Sequence, residues 1–294
     1  MSWSEVWSAF INSLPDTQRP PSSLPVRLRP RFHEKVWGVA SLAPWFPRAG
    51  KPGKKLGEAW FTARPSLPIL VKFLFTAENL SVQVHPDGEC GIGKTEMWHI
   101  LRAEKGARIA LGFTRPIGEK SLRAAALSGK IEQRLRWIAV SPGETYFIPA
   151  GTIHAIGAGI TLCEIQQNSD ITYRLYDYGR PRELHLDEGL SAADLEGSRH
   201  PGARVATSLP DGWSRLAECR YFTTDSLELD RKLRYRSRRP RFELLICLHG
   251  AGLLNGESLA PGHVWLLPAG SAVELAPRAT LRLLRTYVPP SSDA

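Results

Sequence analysis

From Val26 onward the chain alternates short apolar segments with turns: "LPILVKFLF", "LSVQVHP", "TEMWHILRA", "RIALGF" and "ETYFIPAG". Short strands at such close spacing predict a β-sandwich or barrel. One interval breaks the pattern. "GEKSLRAAALSGKIEQRLRWI" (118–138) places Leu122, Leu127 and Ile131 near helical spacing and predicts a small helical insertion. "HLDEGLSAADLEG" (185–197) is a second helical candidate. "GSRHPGARVATSLPDG" then reads as a linker into another strand-rich block. The pattern divides the chain into an N-terminal extension (1–25) that ends in the Pro/Ser-rich "DTQRPPSSLP", a first β domain with the insertion (26–200), and a second β domain (201–294).

The most informative feature is internal. "GETYFIPAGTIH" runs from Gly143 to His154 and "GHVWLLPAGSAV" from Gly262 to Val273, with glycine and Pro-Ala-Gly in one register. The match predicts a duplicated β unit. The copies differ at their last position, His154 against Val273. Valine cannot bind a metal, so the second copy is expected to be metal-free.

In "LSVQVHP", side chains two apart share a face, so Gln83 and His85 project together while Val82 and Val84 pack behind. The turn signals "PDGE" and "GIGK" let the chain re-enter the sheet with Glu96 on a neighbouring strand. His154 supplies a second imidazole. Two histidines, a glutamate and an amide oxygen make a four-ligand set suited to zinc, with room for water or substrate. Such polar groups are costly in an apolar interior unless paired or metallated. Each residue alone says little, and His99, two past Met97, reads as a packing or surface histidine. The joint pattern carries the inference.

Composition narrows the class. The 294 residues suit one large or two moderate domains, and 43% hydrophobic residues with nine tryptophans fit a globular chain. The first residues lack the basic start and apolar core of a secretory signal. No apolar run approaches the ~20 residues that span a bilayer. Cys90, Cys163, Cys219 and Cys247 are scattered without a C-x-x-C pair. A cytoplasmic protein with reduced thiols is expected. The net charge of +9 and the run "DRKLRYRSRRPRFE" (230–243) raise nucleic acid as a partner. The basic residues are otherwise dispersed, so a solvated basic face is the expectation, with no nucleic-acid or membrane partner.

"PILVKFLFTAENLSVQVHPD", "GKTEMWHIL", "FIPAGTIHAIG" and "EIQQNSDITYRLYDYGR" together resemble the short bacterial form of type I mannose-6-phosphate isomerase, in the cupin superfamily. The resemblance runs from "EKVWG" at Glu34 through "RELHL" near Leu186, and more loosely over the second block. It implies a mainly β fold of two cupin jelly-roll barrels, with one Zn2+ on Gln83, His85, Glu96 and His154. It implies interconversion of mannose 6-phosphate and fructose 6-phosphate through a cis-enediol, so the expected partner is a small sugar phosphate. By the same resemblance, Lys94 is a candidate for substrate contact or proton transfer, the latter needing a lowered pKa. Asp170 and Arg174 fall at the sugar phosphate or the reacting carbons, with Asp170 either the base or the residue orienting Arg174. "GEAWFTA" departs from the family pattern after Trp60, and the first ~25 residues have no counterpart there. Two alternatives stay open: a non-catalytic sugar-binding cupin, and a non-haem iron oxygenase, for which Gln83 would be superfluous.

Overall fold

The strand Ile69–Thr76 is buried along its whole length because its two faces belong to different cores. In this computed structural model, which describes residues 24–50, 53–88, 92–196, 202–238 and 242–290, Val71, Phe73 and Phe75 face one way. They pack with Met97, Cys163 and Ile165 against Leu244, Ile246 and Leu284. Leu74 faces the other way, toward Trp98, Ile100, Leu111 and Leu162. A strand covered on both sides loses its alternation in sequence, which is why "LPILVKFLF" reads as a continuous apolar run.

The described chain forms three sheets. A six-stranded sheet runs in the order Pro30–Val39, Leu56–Phe61, Ile69–Thr76, Ile160–Gln167, Glu96–Ala103, Thr145–Ile148. A five-stranded sheet runs Tyr173–Tyr176, Val82–Val84, His154–Ile156, Arg108–Phe113, Leu135–Ala139. These two face each other across the core around Trp98 and Leu111 and form the first barrel. The third sheet, nine-stranded, encloses its own core around Trp213, Leu245, Leu267, Leu275 and Leu283. Its long strands Glu243–Leu254 and Ala272–Tyr287 shift register repeatedly as they pair, which bends them around that core. The strand Val26–Leu28 pairs with Val264–Leu267, so the start of the described chain crosses onto this third sheet. The architecture is mainly β, as expected from the pattern.

The helical insertion is shorter than the 118–138 interval. The helix spans Glu119–Leu127, and Gly129 follows at φ 72°, the left-handed conformation that ends helices. A 3-10 turn, Lys130–Gln133, and the strand Leu135–Ala139 take up the rest. The second candidate forms a helix over Leu186–Ala192. The first 23 residues, Cys90 and part of the basic run lie outside the described residues. In the part that is described, Lys232 and Arg234 both meet Glu274 at 2.6 Å, a solvated ion-paired face. No helix among the described residues is long and apolar enough to cross a membrane.

The six-stranded sheet therefore holds the first barrel against the second through an apolar layer. Phe73→Ala, which opens a cavity in that layer, should lower unfolding free energy by about 3–5 kcal/mol. Urea titration checks this; a loss below ~1 kcal/mol would show that the layer is not tightly packed.

Candidate metal centre

Strand pairing brings the sequence candidates together. His154 is the register partner of Gln83, which is in turn the partner of Arg174, so all three side chains leave the five-stranded sheet on one face. Glu96 opens a strand of the opposite sheet, beside Ile148 on one side and Gln166 on the other. The loop between His85 and Glu96 is closed by a hydrogen bond from the Lys94 amide to the Pro86 carbonyl, 3.1 Å. Only glycine fits at position 93, because a Cβ there would lie 2.0 Å from the Gly88 carbonyl oxygen. The Gly151 amide donates to the His85 carbonyl at 2.9 Å and locks the two imidazole-bearing segments together.

One ligand atom from each of His85, Glu96 and His154 lies within 4.8 Å of the others, and all three residues are buried. Nδ1 of His154 lies 2.8 Å from the Thr152 carbonyl, and Nδ1 of His85 lies 2.9 Å from the Ile171 carbonyl. A carbonyl only accepts, so both Nδ1 atoms carry the proton and both Nε2 atoms present lone pairs to the pocket. His154 Nε2 is 3.5 Å from one Glu96 oxygen and His85 Nε2 is 3.7 Å from the other. Burial lowers the pKa of His154 to about 4 and pushes that of His85 well down, so both imidazoles are neutral, the form that binds metal. The Gln83 amide NH2 lies 3.2 Å from His154 Nε2, and its Oε1 accepts from the Ser81 hydroxyl at 3.1 Å. Turning the amide over offers Oε1 to the pocket instead, and the Ser81 oxygen can accept as readily as it donates.

Neither Glu96 oxygen has a hydrogen-bond partner of good geometry, although Lys94 Nζ stands 2.7 Å from Oε2. Burial, then the neighbouring Glu164 charge, raises the Glu96 pKa to about 7. Lys94 Nζ lies 2.7 Å from Glu96 Oε2 and 3.0 Å from His85 Nε2, and the carboxylate, the two imidazoles and the amide around it are groups that a divalent cation would satisfy. The nitrogen and oxygen donor set fits zinc.

Two further charged residues, which sequence reasoning missed, complete the pocket. Lys72 and Glu164 are register partners on adjacent strands, with Nζ and Oε1 3.4 Å apart. Glu164 also receives the Trp98 indole N–H at 3.1 Å and lies 3.8 Å from Lys94 Nζ. Lys72 Nζ sits 4.2 Å above the Trp60 ring. The signal was present: a lysine inside "ILVKFLF" and a glutamate inside "ITLCEIQQ" are charges within wholly buried strands. Burial opposes the Glu164 charge, but Lys94 and Lys72 outweigh it and hold its pKa below the carboxylate norm. Burial likewise opposes the Lys94 charge, yet Glu164 and Glu96 raise its pKa above the lysine norm. The lowered Lys94 pKa expected for proton abstraction does not occur with these carboxylates uncompensated.

Other candidates separate. Arg174 is half-buried and donates from Nη1 to the Glu183 carbonyl at 2.8 Å, while its buried Nε has no partner. Asp170 is exposed, lies before the strand that carries Arg174, and forms no ion pair with it among the described residues. His99 lies on the opposite face from Glu96 and Trp98, with Nδ1 2.8 Å from the Thr145 hydroxyl, a packing histidine.

Two imidazoles, a carboxylate and an amide converging between the sheets of one barrel, with a second barrel appended, define a metal-binding cupin of the two-barrel type. The chain is 31% identical over 298 residues to mannose-6-phosphate isomerase ManA of Bacillus subtilis (strain 168), spanning 84% of this chain and 93% of that protein. It belongs to the mannose-6-phosphate isomerase family. A crystal structure of mannose 6-phosphate isomerase from Bacillus subtilis superposes with a TM-score of 0.79 at 28% identity, covering 90% of this chain and 99% of that one. The Salmonella typhimurium enzyme bound to f6p and zinc shares the fold, with a TM-score of 0.70 at 17% identity over 90% of this chain and 99% of that one. No protein-family model matches the chain.

His154→Ala should fold but lose metal affinity by more than the ~10–100-fold that losing an outer partner alone brings. Elemental analysis after dialysis against a weak chelator checks this, and full zinc occupancy in the variant would remove His154 from the ligand set.

Proposed function

We propose that this chain is a zinc-dependent aldose–ketose isomerase that interconverts mannose 6-phosphate and fructose 6-phosphate. The observation that carries the reading is the charge of the pocket. With both histidines neutral and Glu96 in the ionised form that binds metal, Lys72 and Lys94 balance Glu96 and Glu164, so this buried set carries no net charge of its own. A loaded pocket is then doubly positive, the complement of a sugar phosphate dianion. The reading also rests on the name shared by relatives along most of the chain.

The reaction moves a proton between C1 and C2 of the open-chain sugar and passes through a cis-enediol with negative charge on oxygen. Gln83, His85, Glu96 and His154 would hold the zinc, which supplies polarisation of the sugar oxygens. Glu164 is the carboxylate kept ionised at neutral pH, by Lys94 and Lys72, and we assign it the proton transfer. Lys94, kept as an ammonium, suits hydrogen-bond donation to the developing oxyanion rather than proton abstraction. Arg174 projects from the strand beside Gln83 with an unpaired Nε, and we assign it to the substrate's phosphate or oxyanion. The walls formed by Trp98, Ile100 and Leu111 exclude bulk water, which strengthens each of these interactions.

An iron oxygenase reading needs a facial triad with open positions, whereas Gln83 stands beside His154 as a fourth donor. Family membership counts against a purely binding role. The test is a coupled assay of fructose 6-phosphate formation on chelated and zinc-restored protein. Activity should vanish and return. Retention of full activity after complete zinc removal would overturn the assignment, as would oxygen consumption without isomerisation.

Arg174→Ala should keep its zinc and lose ~10²–10³ in kcat, the cost of removing one oxyanion donor. Steady-state kinetics with parallel zinc analysis checks it; wild-type turnover would free Arg174 of any part in the reaction.

A further inference from the structure

The two copies of the glycine and Pro-Ala-Gly motif adopt the same conformation: Gly143 and Gly151 at φ 91° and 83°, Gly262 and Gly270 at φ 82° and 73°. The equivalence extends through strand pairing to every position of the metal centre. Glu96 pairs with Ile148, the residue before the motif proline, and Glu243 pairs with Leu267, the residue before the second proline. Gly143 donates to Ile100 at 2.8 Å and Gly262 to Cys247 at 2.8 Å, four positions past each glutamate. His154 pairs with Gln83, and Val273 with Tyr235. Gly151 donates to the His85 carbonyl at 2.9 Å, and Gly270 to the Ser237 carbonyl at 3.2 Å. The second barrel therefore places Tyr235, Ser237, Glu243 and Val273 where the first has Gln83, His85, Glu96 and His154.

The buried ion pair is repeated too, with its charges exchanged. Trp98 pairs with Glu164 and Glu164 with Lys72; Leu245 pairs with Arg285 and Arg285 with Asp225. Arg285 Nε lies 2.9 Å from Asp225 and its Nη2 lies 2.8 Å from Asp211, so its charge is answered. Glu243 is not so placed. It is fully buried, its Oε1 accepts the Arg238 amide at 2.9 Å with Arg238 Nε a further contact at 4.0 Å, and among the described residues its Oε2 has no hydrogen-bond partner, nor has the hydroxyl of Tyr235. Burial raises the Glu243 pKa, as it does that of Glu96.

We propose that the second barrel carries a degenerate copy of the metal site, reduced to the carboxylate Glu243 by loss of the imidazole positions 237 and 273. It retains the geometry to take a divalent cation once those imidazoles are restored. The proposal rests on the ligand reading of the first site, and one substitution at each of two positions separates a one-metal chain from a two-metal chain.

The test is zinc and cobalt stoichiometry of the full chain carrying Ser237→His and Val273→His. Wild type should bind one ion per chain and the double variant two, with cobalt absorption doubling and isomerase activity unchanged. Wild type binding none would indict the first site instead, so the two failures are distinguishable. A double variant that melts near wild type and still binds one ion overturns the proposal. Should that variant fail to fold, Glu243→Gln decides, because the amide keeps the Arg238 contact and removes only the charge. A melting midpoint at or above wild type supports a carboxylate with no duty in the fold. A fall of more than ~4 °C shows the charge to be structural and overturns the proposal.

Discussion

Charge burial between two sheets is the constraint on which the first barrel depends. Lys72, Lys94, Glu96 and Glu164 are each at most 5% exposed. Ion pairs in such a place seldom repay their desolvation, and apolar residues of similar size would stabilise the sandwich at least as well. The arrangement is tolerable because opposite charges lie beside one another, Lys94 next to Glu96 and Lys72 next to Glu164. Glu96 keeps both oxygens without good hydrogen bonds and faces two lone pairs. That local conflict marks the place where a cation belongs. The same cation explains why burial keeps the imidazoles neutral while backbone carbonyls fix the proton on Nδ1.

Holding four charges in register requires a rigid wall. The six-stranded sheet provides it by being packed on both faces, the charged and aromatic side turned to the pocket and the phenylalanine side to the second barrel. Lys72 and Phe73 are neighbours in sequence and serve opposite layers. The second barrel thus contributes to the site without touching it, by fixing the sheet that carries Glu96, Glu164 and Lys72.

Much of this was legible in the sequence, and the failures have physical causes. Alternation in "VQVH" placed Gln83 and His85 on one face, and the repeated Pro-Ala-Gly register marked His154 as the residue without a counterpart. Lys72 and Glu164 escaped notice because strands covered on both faces show no alternation, so a charge within them looks like an interruption of core rather than a pocket residue. The helix over 118–138 was overextended because Gly129 was read as one more helical position, although its left-handed φ ends the helix. Asp170 and Arg174 are four apart, a helical spacing, but Asp170 lies exposed before the strand that carries Arg174. For Lys94, substrate contact and proton transfer both stood open in the sequence, which gives no sign of the Glu164 beside it.

The comparison of the barrels separates what the fold needs from what the chemistry needs. Both keep a buried ion pair at the same register, Lys72 with Glu164 in one and Asp225 with Arg285 in the other. Exchanging the signs preserves neutrality, and each pair is backed by a further contact, Trp98 to Glu164 and Asp211 to Arg285, as a buried pair requires. The ligand positions show no such compensation: an amide becomes a phenol, one imidazole a hydroxymethyl, the other an isopropyl group. Neutral pairs can drift as units within a duplicated scaffold, whereas a metal centre is lost one ligand at a time. The carboxylate remains, buried and hydrogen-bonded to the Arg238 amide, with its pKa raised by that burial. Val273 and Ser237 stand at the two register positions where the first barrel has its imidazoles, while the strands around them serve as the wall that the first site leans on.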